Sequence, residues 1–104
     1  MRFIETANFA RRSRELMSED ALTSLREWLA SHPEWGPVIP GCAGLRKLRW
    51  ALPGRGKRGG LRVLYLSLPA RESIMLVHVY EKNRGEPSWE QLGRLARDAR
   101  RNLE

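Results

Sequence analysis

The chain has 104 residues, 41% of them hydrophobic, a formal net charge of +7 and a pI near 10.7. That suffices for one compact domain, 1–104, with one modest core, is too apolar for a disordered tail, and points to an anionic partner. No apolar run approaches a membrane span, and Arg11, Arg12 and Arg14 follow the start where a signal peptide would need an apolar region, so a soluble cytoplasmic protein is expected.

In chain order, Arg2–Glu5 is a short apolar segment suited to an edge strand. Thr6 or Asn8 can cap a helix that runs to about Met17, with Phe9, Ser13 and Leu16 at helical spacing. Ser18 caps a second helix, with Glu19 and Asp20 in the first turn, Leu22, Leu25 and Leu29 on its apolar face, and Pro33 as its stop. Residues 34–44 hold Gly36, Pro37, Pro40, Gly41 and Gly44, which is loop composition. Leu45–Trp50 alternates, placing Leu48 and Trp50 with Arg46 on one face and Lys47 and Arg49 on the other. A glycine-rich basic loop over residues 51–60 follows. Leu61–Leu68 is apolar on both faces, as a covered central strand would be, with Arg62 the exception. After a turn, Ser73–Tyr80 is a second such strand, with Ile74, Leu76, His78 and Tyr80 expected opposite Met75, Val77 and Val79. Ser88 and Gln91 form a capping-box pair ahead of a last helix, whose inner face is Leu92, Leu95, Ala96, Ala99 and Leu103. The expected fold class is α+β in the order β-α-α-β-β-β-α, a small antiparallel sheet packed by helices.

The charge is concentrated. Arg46, Lys47, Arg49, Arg55, Lys57, Arg58 and Arg62 fall in the central hairpin, and no Asp or Glu occurs from Trp35 to Arg71. A polyanion suits such a surface. The single cysteine, Cys42, cannot make an intrachain disulfide, and with only His32 and His78 beside it no metal-ligand spacing is present.

Three motifs resemble the RelE/ParE toxin superfamily, and within it the HigB-type toxins most. They are Gly44-Leu45-Arg46-Lys47-Leu48-Arg49-Trp50, the run from Gly54 through Tyr65, and Tyr80-Glu81-Lys82-Asn83. Phe3-Ile4-Glu5-Thr6 and Ser88-Trp89-Glu90-Gln91-Leu92 also resemble the family. The resemblance implies a RelE-like fold and a toxin of a type II toxin–antitoxin system that enters the ribosomal A site and cuts mRNA. It implies a HigA-like helix-turn-helix antitoxin as partner, contact with operator DNA only through that antitoxin, no membrane and no cofactor. A ParE-type inhibitor of DNA gyrase and a non-enzymatic RNA-binding protein are the alternatives.

RNA is cleaved without metal when its own 2′-hydroxyl attacks the adjacent phosphate. Such a site needs a base, cations around the phosphorane and an acid for the leaving oxygen. No Glu–His pairing stands near the basic stretch, so lysine and arginine are expected to carry most of this, a lysine crowded by cations being able to act as a base. The resemblance matches Arg62 to the arginine that grips the scissile phosphate. Lys47 and Arg49 share a strand face and can point into one groove. Lys82, just after the last strand, is a candidate acid or base, with Arg84 as a companion. Arg46, Arg55, Lys57 and Arg58 are expected to contact the phosphate backbone. Tyr80 and Trp89 can stack on a base. His78 is read as a strand histidine.

Overall fold

A computed structural model describes residues 1–51 and 60–103. The order is β1 (Arg2–Glu5), α1 (Ala7–Leu16), α2 (Glu19–Ser31), β2 (Arg46–Trp50), β3 (Leu61–Leu68), β4 (Ser73–Glu81) and α3 (Trp89–Arg101), with a 3₁₀ turn, Pro69–Arg71, between β3 and β4. This is the expected α+β class and element order.

Each helix begins where a side-chain oxygen can take an otherwise unpaired backbone N–H. Thr6, not Asn8, caps α1, accepting from Phe9 N at 3.0 Å. Ser18 caps α2 through Ala21 N at 3.1 Å. Ser88 and Gln91 close a complete capping box on α3.

The strands lie in the order β1-β4-β3-β2. β2–β3 and β3–β4 are antiparallel, as expected, but β1 pairs with β4 in parallel, so the sheet is mixed rather than wholly antiparallel. The reason is the path of the chain. β1 is followed by two helices and two strands before β4, and that long return lets it enter beside β4 in the same direction.

The sheet is covered on both sides. Phe9, Leu25 and Leu29 from α1 and α2 pack on Leu48, Leu61, Val63, Tyr65, Ile74, Leu76 and Val79. Ala96 and Ala99 of α3 pack on Leu64, Leu66, Met75, Val77 and Tyr80 of the opposite face. The small side chains of α3 bring that helix close to the sheet. Its far end is tied down by Arg100, whose Nε and Nη2 donate to Ala43 O at 3.1 and 2.7 Å.

The alternation of β4 departs from the sequence expectation. Leu64 pairs with His78 but Tyr65 pairs with Leu76, leaving Val77 as the extra residue of a β-bulge. Ile74 and Leu76 face α1 and α2 as expected. Past the bulge the parity is reversed, and Tyr80 lies on the α3 face with Met75 and Val77, while Val79 lies on the other. The bulge is held from outside the ladder: Thr6 Oγ1 donates to Val77 O at 2.7 Å, and Thr6 N to Leu76 O at 3.0 Å. One threonine therefore both starts α1 and pins the irregularity in β4.

Candidate functional site

The bulge decides what stands beside Arg62. On the α3 face the cross-strand register aligns Arg49, Arg62 and Tyr80 in one row, with Lys47, Leu64 and His78 two residues further along. The row sits on rigid backbone, since β3 is an inner strand and β4 pairs on both sides. Where the sheet ends, Lys82 N donates to Gly60 O at 3.3 Å, which brings Lys82 beside the start of β3. The chain then turns sharply through Asn83 (φ 66°) and Gly85 (φ 75°), both in the left-handed region. That turn carries Glu86 back over the sheet to Lys47, with Nζ 3.9 Å from Oε1.

The result is one cleft of about 200 Å³ lined by Lys47, Arg49, Arg62, Tyr80, Lys82, Asn83 and Glu86. The four residues that the sequence singles out as candidate catalytic groups, Arg62, Lys82, Lys47 and Arg49, are all there. Four cations converging on a small concavity suit a phosphodiester. Burial holds the Tyr80 hydroxyl above its ordinary value, reinforced by the Glu86 carboxylate and opposed by the Arg62 guanidinium. The phenol therefore stays protonated and able to donate at neutral pH.

The other sequence candidates divide. Arg46 lies outside the cleft: its Nη1 donates to Gly36 O at 2.8 Å and to Glu34 O at 3.2 Å, fastening the connector that crosses β2. Gly36 is buried there because a side chain would not fit. An added Cβ would come within 3.0 Å of both Lys47 O and a ring carbon of Tyr65, whose hydroxyl accepts from Gly36 N at 2.9 Å. Arg84 bridges back to Glu81 and lines a separate depression with Arg12 and Glu15. Arg55, Lys57 and Arg58 lie outside the described residues. Trp89, at the first position of α3, is 69% exposed and lines a groove of about 410 Å³ that shares Lys47, Tyr80 and Glu86 with the cleft.

His78 stacks on Tyr80 with ring centroids 5.8 Å apart. Its protonation is legible from its neighbours. Arg11 Nη2 donates to Asn8 Oδ1 at 2.8 Å, which turns the Asn8 amide nitrogen toward His78 Nδ1. A nitrogen that accepts belongs to a neutral ring. Burial, then the charges of Arg12 and Arg11, lower the His78 pKa from 6.5 in agreement with this.

Two site residues escaped sequence reasoning. Glu86 and Asn83 sit in a polar connector, EKNRGEP, with no periodicity to give them a direction. The one local clue is Gly85 next to Glu86, a residue suited to a sharp reversal.

No family model matches the chain. Among solved structures, it is similar to the E. coli toxin RelE in the free state, determined with two arginine-to-alanine substitutions. The TM-score is 0.58 at 11% sequence identity, over 99% of this chain and 97% of that one. At that identity the likeness is one of backbone architecture, and it spans nearly the whole chain: this chain has the RelE-like fold.

Proposed function

We propose that this chain is the toxin of a type II toxin–antitoxin pair and a ribosome-dependent mRNA endonuclease that cleaves through the 2′-hydroxyl, with no metal in the chemical step. The observation that carries the reading is the convergence of Lys47, Arg49, Arg62 and Lys82 with Tyr80 in a single cleft. Arg62 binds the scissile phosphate with a planar fork of donors, which gains strength as charge builds on the phosphorane. Arg49 and Lys47 add charge from the neighbouring strand, and Tyr80 donates a neutral hydrogen bond. Such a site supplies stabilisation and leaves alignment of the RNA to the ribosome. The RelE-like fold supports the toxin assignment. A HigA-like helix-turn-helix antitoxin is the proposed partner, and operator DNA is reached only through it.

Induced expression followed by primer extension tests this. Translation should arrest, transcripts should be cut within translated codons, and the fragments should carry 2′,3′-cyclic phosphate and 5′-hydroxyl ends. Fragments with 5′-phosphate and 3′-hydroxyl ends would exclude the mechanism. A DNA-damage response without cleavage would favour a gyrase inhibitor, and protection of RNA without cleavage a binding protein.

A further inference from the structure

The cleft holds one carboxylate among the described residues, Glu86, and the proposed reading so far gives it no work. Its position is informative. Lys47 belongs to the row of Leu64 and His78, Arg49 and Arg62 to the row of Tyr80, and Lys82 lies beyond, beside Gly60. Glu86 reaches the Lys47 end, 3.9 Å from Nζ. Glu86 and Lys82 therefore flank the Arg49–Arg62–Tyr80 row from opposite ends. Cleavage by an internal 2′-hydroxyl is an in-line displacement: the attacking and leaving oxygens stand on opposite sides of phosphorus, and so must base and acid. A carboxylate at one end of a phosphate-binding row and an ammonium at the other meet that requirement with complementary chemistry.

We infer that Glu86 is the general base of this site and Lys82 its general acid. The inference rests on the endonuclease reading above. Glu86 takes the proton of the 2′-hydroxyl as that oxygen bonds to phosphorus. The bond from phosphorus to the 5′-oxygen breaks, and the Lys82 ammonium delivers a proton to the departing oxygen. The products are a 2′,3′-cyclic phosphate and a 5′-hydroxyl. Glu86 ends protonated and Lys82 neutral, and exchange with water restores both. The groups facing Glu86 are Lys47 from β2 and Tyr80 from β4, with Arg49, Arg62 and Lys82 around the same cleft. Lys47 aims the carboxylate, while Tyr80 stays a hydrogen-bond donor to the phosphate oxygens. Glu86 is exposed, with 62% of its side chain accessible, so its substitution leaves the core intact.

The test is single-turnover cleavage of mRNA on programmed ribosomes, comparing the full-length parent with Glu86→Gln and Glu86→Ala across pH. Glu86→Gln should keep its melting temperature and ribosome affinity but lose about 10²–10⁴ in rate, the range for a positioned base. Its pH–rate profile should lack the acidic limb of the parent. Added formate should restore cleavage by Glu86→Ala more than chloride at equal ionic strength. Glu86→Gln within about threefold of the parent, or with the acidic limb intact, would overturn the assignment while leaving the endonuclease reading in place. A parent that yields no cyclic phosphate on programmed ribosomes overturns both.

Discussion

Arg62 is the side chain on which the proposed chemistry most depends. It projects from an inner strand, on a face otherwise held by Leu64 and Leu66, and it acts on the Tyr80 hydroxyl across the strand pair. Arg62→Ala should abolish toxicity, with a rate loss of about 10²–10³ for a lost transition-state contact. The fold should persist, since no large apolar group is removed. Arg62→Lys should recover little, because an ammonium does not replace a planar fork. Toxicity on induction at matched expression, with circular dichroism of the purified variants, checks this; undiminished toxicity of Arg62→Ala would move the site elsewhere. His78 gives a residue-scale prediction of a different kind. Its folded pKa lies below the 6.5 of the unfolded chain, so over the interval between the two the unfolded state binds more protons. Stability should be full above 6.5 and fall as pH drops from there toward the folded value. His78→Gln, which can still accept from Asn8, should flatten that interval in urea melts.

At the scale of elements, β4 and its bulge connect stability to the site. Val77 O accepts from the hydroxyl of the α1 cap at 2.7 Å, a group more than seventy residues away in sequence (|i−j| = 71). Thr6→Val keeps the shape and removes the hydroxyl. It withdraws the cap from Phe9 N and leaves Val77 O without that donor, so a loss of about 1–3 kcal/mol is expected. The consequence should extend beyond stability. A looser bulge lets Tyr80 and His78 shift on the α3 face, so cleavage should fall more than melting temperature alone would account for. Equal activity in a destabilised Thr6→Val protein would show that the bulge serves folding only. α3 is attached differently, by small side chains against the sheet and by Arg100 gripping Ala43 O, with Gly44 at φ 88° leaving room for the guanidinium. An added Cβ at Gly44 would lie 2.8 Å from Arg100 Nη2.

At the scale of the molecule, the balance of 19 Lys and Arg against 12 Asp and Glu makes association with a polyanion electrostatic. The acid-free segment from Trp35 to Arg71 places much of that charge in β2, β3 and the residues between them. Ribosome binding should therefore weaken steeply as salt rises, because each neutralised phosphate releases counterions. Affinity that is flat between low and high salt would argue for a contact dominated by apolar surface, such as the groove beside Trp89. Among the described residues no helix is long and apolar enough to cross a membrane.

Much of this architecture is written in local chemistry. Ser18, Ser88 and Gln91 mark helix starts because a cap is satisfied within three residues. The faces of β2 and β3 follow from a period of two, so Lys47 and Arg49 could be placed on one face from the sequence, and the pairing of Arg49 with Arg62 came from the register. The departures share one cause: each depends on a partner distant in the chain. The bulge at Val77 exists because β3 pairs out of step across β4 and Thr6 takes the freed carbonyl, and only that turns Tyr80 to the α3 face. β1 runs parallel to β4 because of where two helices return the chain. Arg46 is drawn to the connector by the carbonyls of Glu34 and Gly36. Glu86 enters the cleft because the turn at Asn83 and Gly85 folds it onto Lys47. Periodicity fixes the direction of a side chain only while the backbone stays regular. Where a strand slips by one residue or a loop reverses, the direction is set by whichever distant group completes the hydrogen bond or ion pair.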